Sequence, residues 1–552
     1  MSTESSHDVV VIGGGHNGLL ASIYLARAGF DVLLAERNEE VGGAIASGEP
    51  ISPGFVHDLY ATNMNLFLGS PAFADLGADL IAQGLSLATT SRPYSCAFPG
   101  GASLRVYQDR DRTREGIAAH DPLDAEGWDR LAAAYDRFAP SLFEFYGTPL
   151  PSVAAAKWLA GAAKKHGVSG LGEVGQIILS STRQLGDAYF HSEEMKAMLA
   201  AWGMHIDFAP DATFGGLFPL LESFADMDNG MSVVQGGAGG LAQALAAVAR
   251  NAGAEIRTAS PVESIIVENG AAAGVVLTGG ERVRARRAVI ANLTPAPLVR
   301  LLPEDSATAS TRRRLATYSY GPGTMVIHVA LNGTIPWAAG GDLDQFGYVH
   351  IGPYLRQMSQ TYTDAVNGIL PADPLLVVGQ TSATDPTRAP EGSSVIWIQV
   401  RMLPATIVGD ARGEIEARDW KRAKDAYGER VLEKVESYAP GFRERIIGSQ
   451  VVAPDDLEAA NPNLVGGDSV GGSHHLSQNL LFRPAPGISN YRMPLPGLIM
   501  VGAATWPGAG LNAISGRLAA QELIAGDSVP RKLLKLSDSV KRATSDFRNR
   551  RR

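Results

Sequence analysis

Apolar and polar positions near the start of the chain define three consecutive elements. Residues 9–12 form a short apolar run, and residues 32–35, after Asp31, form a second one. Between them, apolar residues recur at helical spacing over residues 19–26, and Gly29 stands where a helix would end. This order predicts a strand, a helix and a second strand, that is, a β-α-β unit.

Two further patterns organise the middle of the chain. Residues 125–205 are rich in Ala, Leu, Trp and Met at helical spacing, which predicts packed helices. Residues 323–331, 375–379 and 394–400 are β-rich runs bounded by Gly, Pro and Asp. We expect these three runs to share one sheet.

The turn between the first strand and the helix carries three glycines with separate tasks. Gly13 permits a sharp turn, Gly15 lets a pyrophosphate approach the backbone, and Gly18 lets the helix pack close to the strand. The free N–H groups and the dipole of the helix N-terminus favour negative charge there. Glu36 closes the second strand, at a distance from Gly18 that suits an acid binding ribose hydroxyls, and it would repel a 2'-phosphate. A plain strand-to-helix turn is the weaker alternative, because all these features occur in the required order.

Composition favours an enzyme over a nucleic-acid-binding protein. The chain has 552 residues, 45% of them hydrophobic, and a net charge of −9, so nucleic acid is not an expected partner. No apolar stretch approaches the length that crosses a bilayer, and residues 1–7 lack the features of a signal peptide, which predicts a cytoplasmic protein. The single cysteine, Cys96, excludes an intrachain disulfide and a cysteine-based metal cluster. Electron transfer would therefore depend on a bound organic cofactor.

After Glu36 the chain continues into Gly42, Gly43 and Ala44. A glycine pair shortly after the acid of the β-α-β unit resembles FAD-binding flavoproteins of the glutathione-reductase-like and amine-oxidase-like superfamily. Within it, the likeness is greatest to the phytoene desaturase and carotenoid isomerase group, with its pyridine nucleotide-disulfide oxidoreductase domain relatives. Three later segments carry the same resemblance: residues 235–265, 284–292 and 496–512.

The resemblance implies an α/β fold with a glutathione-reductase-like Rossmann domain that binds FAD and an inserted substrate domain of mixed sheet and helices. The FAD-binding domain is expected to be discontinuous and to comprise residues 1–66, 226–312 and 486–527. The substrate domain, which includes a helical cap, is expected to comprise residues 67–225 and 313–485. Residues 528–552 would form a basic tail.

The same resemblance implies which residues contact the FAD. They come from the β-α-β unit, the glycine pair, the middle block and the closing block of the chain. The backbone at Val262 would meet the adenine. The expected FAD-binding residues are Gly13, Gly15, Asn17, Gly18, Glu36, Arg37, Gly42, Gly43, Ala44, Thr62, Val262, Gly502, Ala503, Leu511 and Asn512.

The middle glycines also fit a relaxed G-x-G-x-x-A pattern from Gly237 to Ala242, which would mark a second, nicotinamide nucleotide site. We prefer a single nucleotide site. The strand before these glycines is weak, and the strand after them ends at residues 258–260 without an acid for a ribose or an arginine for a 2'-phosphate. The flavin would then take electrons directly from the substrate.

Three side chains are candidates for chemistry beside the flavin: His205, Asn63 and Trp506. The resemblance places Asn63 and Trp506 near the isoalloxazine, and His205 follows a helical segment that would cover the cavity. Histidine titrates near neutral pH, which suits acid–base work, although a structural role is the alternative for each histidine. His474 and His475 are adjacent, so they point in different directions on a strand, and a third ligand is missing. We therefore predict no metal.

These features predict an FAD-dependent oxidoreductase, a dehydrogenase or desaturase, that takes hydride from an apolar or alicyclic small-molecule substrate. Oxygen, a quinone or another acceptor would reoxidise the flavin. Two alternatives stay open. One is a flavin-dependent double-bond isomerase without net redox change, and the other is a flavin-binding scaffold that does not turn over.

The segment after Pro530 is basic, with nine Lys and Arg residues against two Asp residues. A solvated tail, or a helix that packs on a neighbouring subunit of a homo-oligomer, is the default interpretation. Peripheral contact with an anionic membrane surface is the sharper alternative.

Overall fold

The computed structural model describes residues 4–352 and 354–526. Within these ranges the strands are β1 (Glu4–Ile12), β2 (Val32–Ala35), β3 (Ser47–Gly48), β4 (His57–Asp58), β5 (Leu87–Thr90), β6 (Tyr94–Ala97), β7 (Ser103–Val106), β8 (Met231–Val234), β9 (Glu255–Arg257), β10 (Val262–Glu268), β11 (Ala271–Leu277), β12 (Arg282–Ala291), β13 (Gly323–Asn332), β14 (Tyr348–Ile351), β15 (Ile369–Leu370), β16 (Leu375–Gly379), β17 (Ser393–Leu403), β18 (Gly409–Asp410), β19 (Ile446–Val452) and β20 (Leu498–Met500). The predicted basic tail, 528–552, lies outside the described residues.

The α-helices of the same ranges are α1 (His16–Arg27), α2 (Asn65–Leu68), α3 (Pro71–Ala82), α4 (Arg110–His120), α5 (Pro122–Tyr146), α6 (Val153–Leu179), α7 (Thr182–Tyr189), α8 (Glu193–Met204), α9 (Leu217–Asn229), α10 (Gly239–Asn251), α11 (Pro295–Leu301), α12 (Ala309–Leu315), α13 (Leu355–Val366), α14 (Thr381–Thr384), α15 (Trp420–Tyr438), α16 (Pro454–Ala460) and α17 (Ile514–Ala525). Short 3₁₀ turns occur at Pro99–Gly101, Leu343–Gln345, Pro386–Arg388, Arg443–Arg445, Val465–Gly467, Leu476–Gln478 and Leu480–Phe482. None of the helices described is long and apolar enough to cross a bilayer.

The first sheet is built around β1, which lies between β12 and β2 and runs parallel to both. The strand order is β10-β11-β12-β1-β2-β9, and β20 pairs with the far edge of β12. Strands β10, β11 and β12 are antiparallel neighbours. The predicted β-α-β unit is confirmed as β1, α1 and β2.

Both faces of this sheet are covered, which explains why residues 9–12 of β1 and all of β2 are apolar. Val9 and Val11 pack on one face against a cluster that includes α1, α10 and α17. Val10 and Ile12 pack on the other face against β11, β12 and the segment before β20. A parallel strand with two buried faces therefore has a continuous hydrophobic run rather than an alternating pattern.

The second sheet has the order β19-β13-β17-β16-β14-β6-β7. It is antiparallel apart from the β14–β6 pair, which is parallel. The three β-rich runs predicted from the sequence are β13, β16 and β17, and they do share this sheet. Cys96 lies in β6, and burial raises the pKa of its thiol.

Helices cover both faces of the second sheet. Helices α5, α7, α8 and α9 pack against one face in a single large apolar cluster, and α15 packs against the other. Residues 125–205 are helical as predicted, over α5, α6, α7 and α8, with a break in α6 at Gly167, where φ is +70°. The boundaries of the discontinuous domains stay a prediction.

Candidate active site

The turn after β1 has the geometry of an anion-binding turn. Gly13 has a φ of +94° and donates its N–H to the carbonyl of Ala35 at 2.8 Å, so the strand can turn sharply away from the sheet. A Cβ at Gly18 would overlap the carbonyl oxygen of Gly13, so only glycine lets α1 pack this closely. Gly15 is the N-cap residue, and no side chain caps the first turn of α1. The first amides of α1 are therefore left for a ligand.

Glu36 stands at the end of β2 with 5% of its surface exposed. Its carboxylate accepts hydrogen bonds from the backbone N–H of Gly14 at 2.7 Å and of Asn38 at 2.9 Å. These two amides hold the carboxylate in one orientation. Because a carboxylate can accept about four hydrogen bonds, Glu36 retains capacity for a pair of ribose hydroxyls.

A cavity of about 910 Å³ lies against this turn and against Glu36. Its volume is at the upper end of the range of ligand pockets. Its wall also includes Tyr60 and residues that follow β12 and β20. The predicted FAD-binding residues that line it are Gly13, Gly15, Asn17, Glu36, Arg37, Gly43, Ala44, Val262, Gly502 and Ala503.

Five predicted FAD-binding residues lie outside the lining. Gly18 sets the packing of α1, and Gly42 donates its N–H to the carbonyl of Gly14 at 2.9 Å. Thr62 is buried and donates to the carboxylate of Asp58. Leu511 is in the apolar core, and Asn512 accepts from the N–H of Ile514 at the start of α17 at 3.0 Å. Their contact with the cofactor stays a prediction.

The structure adds lining residues that the sequence analysis missed. Asn292, at the end of β12, directs its amide toward the carbonyl of Gly13 at 3.3 Å and lines the cavity. The segment 460–464 also lines it, and Asn463 accepts from the N–H of Thr294 at 2.7 Å. Asn292 directly follows a strand that the sequence analysis had assigned to the cofactor domain, so its position could have identified it. The segment 460–464 carries no motif that distinguishes it.

Backbone amides of the middle glycine loop, residues 236–240, donate hydrogen bonds to carboxylates of the protein itself. The N–H of Ala238 donates to Asp58 at 2.7 Å, and the N–H of Gly236 donates to Asp385 at 2.7 Å. Strand β8, before the loop, pairs with β5, whereas β9, after α10, pairs with β2 in the first sheet. The segment is therefore not a β-α-β unit of one sheet, and these amides are not free for a second pyrophosphate. A single nucleotide site agrees with this geometry.

Trp506 is packed rather than exposed to the cavity. It is 1% exposed, its ring stacks on Tyr146 with 5.5 Å between centroids, and its Nε1 donates to the carbonyl of Thr148 at 2.8 Å. Asn63 donates its side-chain amide to both carboxylate oxygens of Asp226 at 3.2 Å. Both residues thus have structural partners, and their roles in chemistry stay predictions.

His205 belongs to an aromatic cluster between α8 and the second sheet. Its ring lies 4.9 Å from that of Trp202 and 5.2 Å from that of His350. Burial lowers the pKa of His205 well below its ordinary value, so the imidazole is neutral at neutral pH. Its Nε2 has no hydrogen-bond partner among the described residues. The residue does not line the FAD-sized cavity, and its catalytic role stays a prediction.

His474 and His475 point to different partners, as expected for neighbours along an extended chain. Nε2 of His474 accepts from the N–H of Ala509 at 2.9 Å, and Nε2 of His475 donates to the carbonyl of Asp207 at 2.8 Å. Within residues 4–352 and 354–526, no group of three His, Cys, Asp or Glu side chains is arranged to hold a metal ion.

Aromatic side chains fill the space between the helices and the second sheet. The ring of Tyr94 meets that of Trp202 edge-on at 5.1 Å, and Tyr348 stacks on Trp397 at 6.2 Å. The Nε1 atoms of both tryptophans have no hydrogen-bond partner within the described ranges. Aromatic rings thus dominate the interior of this layer, and the two indole N–H groups are donors without an acceptor there.

One dinucleotide fits the site that is formed by the glycine turn, the uncapped helix, the oriented carboxylate and the cavity. Fold and site therefore define a Rossmann-type flavoprotein. The chain belongs to the flavin-containing amine oxidoreductase family, whose profile matches residues 18–524. It is an FAD-dependent oxidoreductase, and the resemblance seen in the sequence is confirmed.

Relatives match along most of their length. The chain is 29% identical to pyridine nucleotide-disulfide oxidoreductase domain-containing protein 2 of Rattus norvegicus, over 93% of this chain and 92% of the relative. It is 27% identical to a limonene dehydrogenase polypeptide of Castellaniella defragrans, over 96% of each chain. It is 25% identical to a phytoene desaturase of Fusarium fujikuroi, over 94% of this chain and 89% of the relative.

A solved oxidoreductase from Methanosarcina mazei has the same fold. The TM-score is 0.57 at 17% identity, and the match covers 95% of this chain and 100% of the other. At this identity the match shows the fold alone. The predicted architecture, a Rossmann-type FAD domain with a substrate domain of mixed sheet and helices, is confirmed.

Proposed function

We propose that the chain is a dehydrogenase or desaturase that removes hydride from an apolar or alicyclic substrate. The observation that supports this most is the aromatic and apolar layer between the helices and the second sheet. Such a layer offers a hydrocarbon a mainly apolar surface to contact. Two relatives are named for hydrocarbon substrates, limonene and phytoene.

The residues that line the cavity would hold the cofactor. The amides at the start of α1 would bind the diphosphate, Glu36 would bind the ribose, and the backbone at Val262 would lie at the adenine. Bound FAD supplies the hydride acceptor. The protein would contribute binding, orientation and exclusion of water, because α5, α8 and α9 bury the apolar layer that they form with the second sheet. Oxygen or a quinone would then reoxidise the flavin.

Anaerobic mixing of the holoenzyme with a panel of compounds tests this function. The panel contains limonene, phytoene, a saturated alicyclic hydrocarbon and an aliphatic diamine as the polar control. We expect lasting bleaching of the flavin absorbance by an apolar compound and none by the diamine. Bleaching by the diamine alone would overturn the substrate class. A product formed only after prior reduction of the flavin would indicate an isomerase instead.

The acceptor is tested on the bleached enzyme. Re-oxidation is followed after addition of air-saturated buffer or of a soluble quinone under anaerobic conditions. Recovery of the yellow flavin absorbance with only oxygen, or with only the quinone, assigns the acceptor. Recovery with neither contradicts both acceptors.

A further inference from the structure

Glu222 and Asp226, which form an acid pair, are buried together on one face of α9. They lie four residues apart, a spacing that makes them neighbours on a helix, with about 5–6 Å between Cβ atoms. Asp226 has no exposed surface, and Glu222 is 6% exposed. Among the described residues, no Lys, Arg or His side chain forms an ion pair with either. Two carboxyl groups this close and this buried cannot both be ionised without a large cost.

The two members of the acid pair have different hydrogen-bond partners. Asp226 accepts from the side-chain amides of Asn65 at 2.6 Å and of Asn63 at 3.2 Å. Glu222 makes no side-chain hydrogen bond within the ranges that the structure describes. Because donors favour the ionised form of a carboxyl group, the negative charge belongs on Asp226 and the proton on Glu222.

Around neutral pH, the acid pair changes its charge while the phenols near it do not. Four phenols interact electrostatically with it, those of Tyr94 on β6, Tyr348 on β14, and Tyr135 and Tyr146 on α5. Burial raises the pKa of all four, so they keep their protons. Burial also raises the pKa of Asp226, to about 7. The pair therefore exchanges a proton near neutral pH, as a unit rather than as two separate groups.

The acid pair lies next to both segments that lead to the flavin cavity. Asn63, which donates to Asp226, follows Tyr60 by three residues, and Tyr60 lines the cavity. Tyr146, which interacts electrostatically with Glu222, stacks on Trp506 at 5.5 Å, and Trp506 follows the cavity-lining Ala503 by three residues. The pair is thus on the side of the helical layer that adjoins the cofactor.

We propose that the acid pair accepts the proton that the substrate loses during dehydrogenation. This inference rests on the proposed function. One C–H bond of the substrate breaks with its electron pair moving as hydride to the bound flavin. The C–H bond on the neighbouring carbon breaks as its proton passes to a carboxylate oxygen of the pair, and its electrons form the new C=C bond. The pair becomes neutral and later releases the proton to solvent.

An infrared titration of the holoenzyme between about pH 5 and pH 9 tests proton sharing without turnover. We expect the C=O band of a protonated carboxyl group to disappear near neutral pH in the wild type. Asp226→Asn should abolish this transition, because Asp226 is the member that carries the charge. Glu222→Gln removes the protonated member and should leave a transition that belongs to Asp226 alone. Glu268→Gln, at a half-exposed residue paired with Arg284, is the matched control and should leave the transition unchanged. Persistence of the wild-type transition in Asp226→Asn would overturn the proposal.

The rate of flavin bleaching by an apolar substrate tests proton acceptance. In the wild type we expect the rate to rise with pH through neutrality, because the ionised pair is required. Asp226→Asn should lower it by about 10²- to 10⁴-fold at neutral pH, the usual contribution of a general base. Glu222→Gln keeps the Asp226 carboxylate and should retain a rate that rises with pH through neutrality.

The outcomes separate the two proposals. Bleaching with an unchanged rate in Asp226→Asn rejects the acid pair as proton acceptor and leaves the proposed function standing. Failure of every compound to bleach the wild type rejects the proposed function, and the proton-accepting role with it. An infrared transition that survives unchanged in Asp226→Asn rejects the pair whatever the bleaching result.

Discussion

Arg388 is a fully buried cation that joins distant parts of the chain. Its Nε donates to Asp385 at 2.8 Å, its Nη2 donates to the carbonyl of Val234 at 2.7 Å, and its Nη1 lies 3.0 Å from Asp58. All three charged side chains have no exposed surface. The carboxylates of Asp58 and Asp385 also accept hydrogen bonds from the backbone amides of the middle glycine loop. Arg388 therefore neutralises the two carboxylates that fix this loop.

We predict that Arg388→Met destabilises the protein by about 3–5 kcal/mol. Methionine fills much of the volume but leaves two buried carboxylates without a cation. The free energy of unfolding is measured by chemical denaturation followed by circular dichroism. Arg114→Met is the matched control, because Arg114 pairs with Asp129 where both side chains are 47% exposed. The control should change the stability little, because solvent screens an exposed ion pair.

The cause of the loss is tested by neutralising the stranded carboxylates. Adding Asp58→Asn and Asp385→Asn to Arg388→Met should recover part of the stability, since asparagine still accepts the loop amides. The deficit of Arg388→Met should also shrink at low pH, where the stranded Asp385 carboxylate gains a proton. An Arg388→Met variant as stable as the Arg114→Met control would refute the argument that this charge is needed.

Two other predictions concern the nucleotide turn and a buried ion pair. Gly18→Ala should weaken FAD binding at least about 10-fold, as measured by flavin fluorescence, because the new Cβ overlaps the Gly13 carbonyl and displaces α1. The control is Gly116→Ala on α4, where a Cβ meets nothing within 4 Å. This control should stabilise the folded protein by up to about 1 kcal/mol. Normal FAD affinity in Gly18→Ala would contradict the packing argument. Burial opposes ionisation of Asp410, but hydrogen bonds led by that from Arg430 lower its pKa to about 2. Its stabilisation is therefore present above about pH 4 and lost as the pH falls toward 2, so Asp410→Asn should remove up to about 2 kcal/mol of acid-sensitive stability in denaturation curves across that range. Equal acid sensitivity in the variant and the wild type would refute this.

The parts of the fold that the sequence predicted correctly are encoded locally. Residues 9–12 and 32–35 are apolar at every position because both faces of the strands are covered, and the intervening helix has its own period. Gly13, Gly15 and Glu36 are recognisable because the chemistry of one turn demands these residue types at a fixed spacing. The β-rich runs were likewise assigned to one sheet, since each run has the composition of a buried strand.

Tertiary structure alone decided which side chains meet across long sequence distances. Asp58 and Asp385 converge on the amides of residues 236–238, so the middle glycines do not form a second nucleotide site. Asn463 reaches the cofactor cavity, and Asp226 faces Asn63, without any spacing that marks them. Periodicity records which face of an element is buried, but the partner of a buried polar group depends on how whole elements pack, and that packing is a property of the complete chain.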